Sequence, residues 1–594
     1  MITKDSLLPE VIARYPGTRR VLDAYGLSGC GGPMGPSETV EFFARVHGVP
    51  LEKLLAELER AKDAPASPYV ERLEDRLYRR FFRGGIAVLL TAGATMGAVL
   101  LVFYALRKSF TSLDLFGYVQ AHGNAQIYGW LGLFVMGFAY QGFPRFKYVQ
   151  LWKPEWAARS FVLMAAGVAV RAAAALPVPG ALAWGVAGSL LESLAVAIFV
   201  GILLRTLRAS PMRDAWDRYV LASLAFFLLT ALAEPGVYAF IFTASDPEAL
   251  VRRVADVMKP FRDLELLGFA GLMVLGVSQR ILPTAFGFRA VGRARSLAAF
   301  ALLLSGLAVD VVAWGIFRRT GRPVWAVLSW AGAVMYAAGA IVLALGLRAW
   351  TGGAREDRST KFIRAAYGWL AVACGMVWSE PLYALLSGLR FSHAYHGAIR
   401  HAFTVGFLSL MIVGVSSKVV PILQGLDLKG LPALAGAFFL INSGNALRVA
   451  SQVATDWIPA WAFPPMGASG VLEVLGFSLW GAHLWRLLGA GSPPASAPGA
   501  LGPDTRVAEI AEAHPESLEV FERFGFRELR NPLLRRTLAR RVTVRMACQM
   551  KGVPEEEFLA ALRGACGKAA FSEARAGVEG ETGRTGPSTR AAGP

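Results

Sequence analysis

Residues 268–283 read GFAGLMVLGVSQRILP, and residues 406–421 read GFLSLMIVGVSSKVVP. In both stretches a second glycine follows the first after seven intervening residues, and a proline follows after six more. The same spacing occurs at Gly129, Gly137 and Pro144. Glycines let apolar helices approach closely, and proline kinks or ends a helix. The pattern therefore predicts three related membrane helices, whose prolines recur along the chain at a near-constant period.

The repeat length predicts how many helices the chain contains. A bilayer core about 30 Å thick is crossed by about 20 helical residues, so each repeat has room for four membrane helices. We predict an all-α fold, a polytopic membrane protein of about twelve transmembrane helices in three four-helix quasi-repeats, with a small helical soluble domain at both ends. The predicted membrane helices cover residues 86–106, 120–143, 160–176, 181–204, 219–243, 264–286, 297–317, 324–347, 365–387, 400–423, 432–450 and 468–488.

The bulk composition agrees with a membrane protein. Of the 594 residues, 54% are hydrophobic and 18% are charged, and the mean hydropathy is +0.44. A soluble protein usually carries about 25% charged residues. The net charge of +18 does not indicate nucleic-acid binding, because much of the Lys and Arg lies in short connectors, where it sets topology and attracts anionic lipid. We therefore expect membrane lipid, and no nucleic acid, as a partner.

Charge placement also predicts the orientation. Basic residues crowd the start of the first membrane helix, which argues for a cytoplasmic N-terminus. The polar start of the chain lacks the apolar core of a cleavable signal peptide, so we expect the first membrane helix to direct insertion. An even number of helices then puts both termini in the cytoplasm of a bacterial inner (cytoplasmic) membrane protein. The crowding residues are Arg72, Arg76, Arg79, Arg80 and Arg83.

Composition divides the chain into five parts. Residues 1–62 and 504–566 are soluble and carry apolar residues at helical spacing, residues 84–489 hold the membrane helices, and residues 490–503 form a linker rich in Pro, Gly, Ser and Ala. Residues 567–594 are predicted to be disordered. The cysteines form no CxxC pair, which argues against a disulfide framework and a structural zinc site. They are Cys30, Cys374, Cys548 and Cys566.

Two histidines lie inside the predicted membrane region. His122 precedes Pro144 by nearly the same stretch of chain by which His401 precedes Pro421. An ionisable residue inside a membrane is a functional hypothesis by default. A single such histidine is explained equally well as a hydrogen-bonded structural residue. Two histidines at similar depth on separate helices are typical of axial ligands that clamp one haem, since haem iron accepts an imidazole nitrogen on each face.

The stretches around these histidines resemble a known superfamily. Residues 121–130 (AHGNAQIYGW) and 401–425 (HAFTVGFLSLMIVGVSSKVVPILQG) are similar to the haem–copper oxidase catalytic subunits, and more closely to the NnrS-type membrane proteins associated with nitric oxide and nitrosative stress. The resemblance implies that His122 and His401 hold a low-spin haem b. Where the oxidases place a second histidine on the tenth helix this chain has Ile399. Its sixth and seventh helices contain no histidine, so copper and oxygen reduction are not expected.

Other polar residues near the membrane region leave two interpretations open. His393 and His396 in FSHAYHGAIRH, a predicted outer loop, either hold a metal or second haem, or form an exposed loop cluster. His483 is interpreted as structural. Five acids within the predicted helices either form a proton path or pair with buried arginines. They are Glu192, Glu234, Asp310, Glu380 and Glu473.

The two soluble ends resemble each other and the small helical DUF1858 family. Both run through a helix, a Tyr-Pro or His-Pro pair, a helix that ends at glycine, and a last helix opened by Val-Pro. Family members often carry two cysteines after the glycine, whereas this chain has only Cys30 there, which argues against a redox-active pair. A basic cluster in the second domain either touches lipid headgroups or a partner, or is a solvated helix face. It consists of Arg535, Arg536, Arg540 and Arg541.

These observations predict a haem b-binding inner-membrane protein in nitric oxide or respiratory redox metabolism. If the protein is an enzyme, it is an oxidoreductase, and its electron partner is a quinol or a small redox protein. One alternative is a quinol-dependent terminal reductase with a second metal centre at His393 and His396. Another is a haem-free membrane sensor or transporter, whose terminal domains signal to a cytoplasmic partner.

Overall fold

A computed structural model defines the fold. It describes residues 2–27, 38–65, 71–110, 113–354, 357–389, 391–424, 426, 428, 431–489, 502–503, 505, 507, 510–511, 514, 516–526, 529 and 542–565. Across these residues the secondary structure is helical, and the extended conformation is limited to isolated bridges such as Leu7 with Thr39. The all-α prediction is confirmed.

Twelve long helices follow one another through residues 73–489, and each matches one predicted helix. Within the described residues, nine of them are long and apolar enough to cross a membrane. A polytopic helical membrane protein is thus confirmed, and twelve as the number of spans stays a prediction. The helices are α1 (Leu73–Arg107), α2 (116–147), α3 (Pro154–Ala173), α4 (Ala181–Arg208), α5 (Asp217–Phe242), α6 (Pro247–Phe286), α7 (Arg293–Thr320), α8 (Pro323–Leu347), α9 (Thr360–Ser387), α10 (His393–Leu423), α11 (Ala435–Ala454) and α12 (Pro459–Gly489).

Several helices begin earlier than the apolar runs predict, because polar residues cap them. The side chain of Ser392 accepts a hydrogen bond from the backbone N–H of Tyr395 at 2.9 Å and so starts α10. Asp246 does the same for Ala249 at 2.8 Å at the start of α6. Capping side chains satisfy the free amides of a first helical turn. The prediction of an outer loop around His393 and His396 is therefore wrong, since these residues form the first turns of α10.

The helices that carry the repeated motif share an irregularity. Each contains an eight-residue π-helical segment, at Ala125–Gly132 in α2, Leu264–Gly271 in α6 and Ala402–Ser409 in α10. Every segment ends at the same distance along the chain before the proline of its motif. Such bulges often mark functional sites. The coincidence supports the threefold repeat, which stays a prediction.

In each repeat the third and fourth helices pack closely through small residues. A methyl group added at Gly188 of α4 would lie 2.9 Å from the carbonyl oxygen of Gly167 on α3. On α7 and α8, a methyl group at Gly332 would lie 2.7 Å from the carbonyl oxygen of Gly306. Helix backbones this close leave little room for solvent between them. The polar side chains one helical turn after these glycines therefore face neighbouring helices.

The N-terminal domain has its own core and contacts the membrane helices. Its helices are Leu8–Arg14, Arg19–Ala24, Val40–Val46 and Leu51–Arg60. The phenolic O–H of Tyr148, in the connector after α2, donates to Glu38 at 2.6 Å. The ring of Tyr148 lies 5.2 Å from that of Phe42. The core side chains that are completely buried include Leu8, Leu22, Leu27, Val40, Leu54 and Leu58.

The chain divides into two compact units, Met1–Ala495 and Ser496–Pro594. The second unit contains the helices Ser517–Arg523, Val544–Lys551 and 555–565, around a core with Phe521 and Phe558. Its helix cap repeats that of the N-terminal domain, since Thr39 accepts from Phe42 N–H and Thr543 from Met546 N–H. The predicted linker through residue 501, the tail from residue 566, Cys30 and the basic cluster 535–541 lie outside the described residues.

Candidate cofactor site

His122 lies on α2, shortly before its π-helical segment. Its Nδ1 donates to the carbonyl oxygen of Gly93 at 3.0 Å. Gly93 ends the π-helical turn of α1 with ψ of −112°, far from the helical value of about −42°, which turns this carbonyl away from the helix axis. A carbonyl oxygen only accepts, so Nδ1 carries the proton and Nε2 keeps its lone pair. A methyl group at Gly97 would lie 2.6 Å from Cε1 of the imidazole.

His401 is held in the same way, by its own helix. Its Nδ1 donates to the carbonyl oxygen of Gly397 at 2.9 Å, one turn earlier in α10. The Nε2 atom of this half-buried imidazole is again left with a lone pair. Histidines that bind metals almost always donate their other ring N–H to a carbonyl or carboxylate, which fixes the tautomer. Both histidines therefore have the arrangement of metal ligands.

The two imidazoles are electrostatic neighbours of each other and of Arg448 on α11. Helices α10 and α11 run antiparallel, because Gln452 packs against Gly397 and Asn445 packs against Gly406. Arg448, midway between the two α11 residues, is thus level with His401. Arg448 was not among the site residues predicted from the sequence.

Helix α12 also packs against the helices around the two histidines. Cγ of Glu473 would lie 2.8 Å from a methyl group at Gly444 of α11, and Gly470 packs in the same way against Ala98 of α1. Ala98 follows Gly97, against which the imidazole ring of His122 packs. Five helices, α1, α2, α10, α11 and α12, therefore meet at one level. An apolar groove of about 450 Å³ opens beside it between α1 and α12, lined by residues that include Ala98, Val102 and Leu475.

Arg448 carries a buried charge that its neighbours leave incompletely bonded. Its residue surface is 5% exposed, and Nε and Nη1 have no acceptor within the described residues. Both amide atoms of Asn445, Oε1 of Gln452 and Oε1 of Glu473 also lack partners there. Glu473 is an electrostatic neighbour of Arg448. A buried donor left without an acceptor costs about 1–3 kcal/mol, so Nε and Nη1 of Arg448 can stabilise a ligand that accepts hydrogen bonds.

The first repeat has a corresponding arginine that is paired. Gly167 and Arg171 on α3 are spaced like Gly444 and Arg448 on α11, and Gly306 and Asp310 on α7 take the same places in the second repeat. Nη2 of Arg171 is 3.0 Å from Oε1 of Glu234, and both side chains are buried. The interval between these glycines along the chain equals the interval between the motif prolines. This recurrence in the sequence already indicated that position 448 corresponds to position 171.

This donor set fits haem b. Two imidazole Nε2 atoms are free to ligate one iron from two helices, and the cofactor's two carboxylates need cationic or hydrogen-bonding partners of the type that Arg448, Asn445 and Gln452 supply. Iron–imidazole ligation on both faces is the arrangement of electron-transferring haems.

Two protein families match parts of this chain. The family described as NnrS protein matches residues 77–490. The chain belongs to the NnrS family. The family described as Domain of unknown function (DUF1858) matches residues 2–55 and 501–559. The resemblances to NnrS proteins and to DUF1858 domains are therefore confirmed. A search of curated proteins finds no match.

The NnrS region also contains His393 and His396, and the structure gives them separate contacts. Nε2 of His396 lies 3.2 Å from Oε1 of Glu380, and its ring stacks on Phe391. The ring of His393 contacts Phe110. Among the described residues there is no group of three or more His, Cys, Asp or Glu that could hold a metal ion. The second metal centre stays a prediction, without a third ligand in that part of the chain.

Most predicted intramembrane acids of this NnrS protein are buried in polar contacts. Asp310 accepts from Nζ of Lys259 at 2.7 Å, and Glu192 accepts from the amide of Asn124 at 3.0 Å. Glu380, by contrast, is partly exposed. Two further charged residues on α6, Arg262 and Glu265, form an ion pair of 2.6 Å and were not among the site residues predicted from the sequence.

Proposed function

We propose that this NnrS-family protein binds one haem b through His122 and His401 and exchanges electrons in nitric oxide or respiratory redox metabolism. The observation that carries the proposal is the matched tautomer of the two imidazoles. Each gives its Nδ1 proton to a glycine carbonyl, at 3.0 Å and 2.9 Å, and keeps a free Nε2 within the same five-helix group.

The protein's residues would hold the cofactor in three ways. His122 and His401 would hold its iron between α2 and α10, and the carbonyls of Gly93 and Gly397 fix the tautomer and the orientation of both imidazoles. Arg448 gives guanidinium N–H groups to a cofactor carboxylate, as Arg171 does to Glu234 in the first repeat. When bound with two imidazoles, haem b supplies a reversible one-electron couple.

The cellular setting is part of the same proposal. We expect a bacterial inner membrane with both termini in the cytoplasm, since basic residues crowd the start of α1. The electron partner we expect is a quinol or a small redox protein. We expect membrane lipid around the helices and no nucleic-acid partner. The position of Arg448 favours haem binding over a haem-free transporter, because its Nε and Nη1 are buried donors without an acceptor within the described residues, and a cofactor carboxylate would supply one.

Visible spectra of the purified full chain test the proposal. The wild type should give a Soret band and a low-spin reduced spectrum, with one haem per chain. His122→Gly and His401→Gly should each lose the low-spin spectrum, and added imidazole should restore part of it by entering the vacated position. His483→Gly, on α12 and outside the five-helix level, is the matched control and should keep the wild-type spectrum.

A wild-type protein without a Soret band overturns the haem assignment. A low-spin spectrum that persists in both ligand variants overturns the assignment of these two histidines. Imidazole rescue separates ligand loss from misfolding, because a misfolded chain would not regain the spectrum.

A further inference from the structure

A cluster of five charged side chains lies buried in the first half of the membrane domain, and one of them, Arg262, is an electrostatic neighbour of His122. The cluster contains three carboxylates and two guanidinium groups, contributed by α3, α4, α5 and α6. The exposed fraction of each residue is at most 9%. The proposed haem site does not use it. The residues are Arg171, Glu192, Glu234, Arg262 and Glu265.

Each guanidinium forms an ion pair with one carboxylate. Arg171 pairs with Glu234, with Nη2 and Oε1 3.0 Å apart. Arg262 pairs with Glu265, with Nη1 and Oε2 2.6 Å apart, and its Nη2 donates to the side-chain oxygen of Gln120 at 3.1 Å. The third carboxylate, Glu192, has neither cation as a hydrogen-bonded partner within the described residues.

Glu192 sits in a neutral hydrogen-bonding environment. Its Oε2 accepts from Nδ2 of Asn124 at 3.0 Å, and its Oε1 is buried and has no partner within the described part of the chain. Its Cγ packs against Gly167, so solvent does not reach it from α3. An isolated ionised carboxylate in such a place is far more costly than the neutral acid, and the group takes up a proton instead. Three carboxylates facing two cations also leave one proton to be bound for neutrality.

A small polar cavity adjoins the cluster. Its volume is about 10 Å³, roughly enough for one water molecule. Arg171 belongs to its lining, and Nε of this arginine is buried and has no acceptor within the described residues. A water there would touch groups from α2, α3, α5 and α6 at once. The polar and charged lining residues are Gln120, Arg171, Glu234, Tyr238 and Arg262.

We propose that this cluster is an intramembrane proton-binding site in which Glu192 carries the bound proton while the Arg171–Glu234 and Arg262–Glu265 pairs stay ionised. The proton is held as the O–H group of the Glu192 carboxylic acid. The adjoining cavity is lined by Arg171, Glu234 and Arg262 of the cluster and not by Glu192. The groups around Glu192 are Asn124 and Tyr128 on α2, Arg171 on α3, Ser189 and Ser193 on α4, Glu234 and Tyr238 on α5, and Arg262 and Glu265 on α6.

Infrared spectroscopy of the full chain in lipid nanodiscs tests this site. At neutral pH the wild type should show the C=O stretching band of a protonated carboxylic acid, and this band should shift in D2O. Glu192→Gln should lose it. Glu248→Gln, on an exposed residue at the start of α6, is the matched control and should keep it. The result does not depend on haem, so the proposed function and this site fail independently.

A second variant tests whether the Arg171–Glu234 ion pair keeps Glu192 protonated. Glu234→Gln removes the partner of Arg171, which leaves Glu192 as an acid that is an electrostatic neighbour of the freed guanidinium. Glu192 should then ionise, and the band should disappear although Glu192 is still present. Absence of the band in the wild type, or its persistence in Glu192→Gln, overturns the proposal. Persistence in Glu234→Gln overturns the assignment of Glu192 as the acid that the Arg171–Glu234 pair keeps protonated.

Discussion

Arg448 occupies in the third repeat the position that Arg171 occupies in the first, yet among the described residues only Arg171 has a hydrogen-bonded carboxylate. Arg171 contacts Glu234 at 3.0 Å, whereas Nε and Nη1 of Arg448 have no acceptor in the described part of the chain. The carboxylate that corresponds to Glu234 in the Glu-Pro motif is Glu380, which lies beside His396 instead. The two arginines thus occupy equivalent positions in different surroundings. Arg171 belongs to a cluster that contains its own carboxylates, and Arg448 belongs to the proposed haem site.

The same substitution of the two arginines should destabilise haem-free protein to different extents. Arg171→Met leaves Glu234 buried without its hydrogen-bonded cation, which should lower the free energy of unfolding by about 3–5 kcal/mol. Arg448→Met removes a cation whose Nε and Nη1 have no acceptor within the described residues, and it leaves Glu473 without an electrostatic neighbour, so the loss of stability should be smaller. Thermal unfolding of protein made without haem measures both. Equal destabilisation of the two variants would contradict the asymmetry.

Haem binding should depend on Arg448. Loss of a hydrogen bond to a charged group costs about 1.5–3 kcal/mol, so Arg448→Met should weaken haem binding by about 10- to 150-fold at about 1.4 kcal/mol per tenfold. Haem titration of the purified apoprotein measures the change. Wild-type affinity in this variant would remove Arg448 from the site.

Gly97 should be required for the position of His122. A methyl group at Gly97 would lie 2.6 Å from Cε1 of the imidazole, and such overpacking costs about 1–3 kcal/mol. Gly97→Ala should therefore weaken haem binding by about 5- to 150-fold. Gly201→Ala, on α4 with no atom within 4 Å of the added methyl group, is the control and should bind haem normally.

The N-terminal domain should lose stability in mild acid. Burial lowers the pKa of His47 below its ordinary value of 6.5, and its Nε2 is buried without a partner within the described residues. The unfolded domain therefore binds this proton more readily, so stability is full above about pH 6.5 and falls as the pH drops below it. Hydrogen exchange across the helices Val40–Val46 and Leu51–Arg60 measures the change, and His47→Gln should remove this pH dependence. An identical pH response in the variant would exclude His47.

The predicted topology can be tested with fusions. A reporter that is fluorescent only in the cytoplasm should be active after residue 489 and inactive in the connector between α5 and α6. Basic residues at the start of α1 are the physical reason. Opposite activities would reverse the orientation, and equal activities at both sites would contradict the twelve-span count.

Much of the architecture could be predicted because it depends on local chemistry. Apolar runs in the sequence predicted positions that match the twelve long helices, and the threefold repeat inferred from the glycine and proline spacing stays a prediction. Helix starts were predicted less well, since a polar cap such as Ser392 or Asp246 extends a helix beyond its apolar run. The prediction of a loop at residues 393–396 was wrong for this reason.

By itself, the sequence determined which residues are available for chemistry, such as His122 and His401, because their type and depth depend only on the chain. Only the tertiary structure decided how they are used. Whether Arg171 or Arg448 finds a carboxylate depends on which helix packs beside it, and neighbours of this kind are distant in sequence. The same holds for Glu192. We infer its bound proton because the other four charged residues of the cluster form two ion pairs with each other.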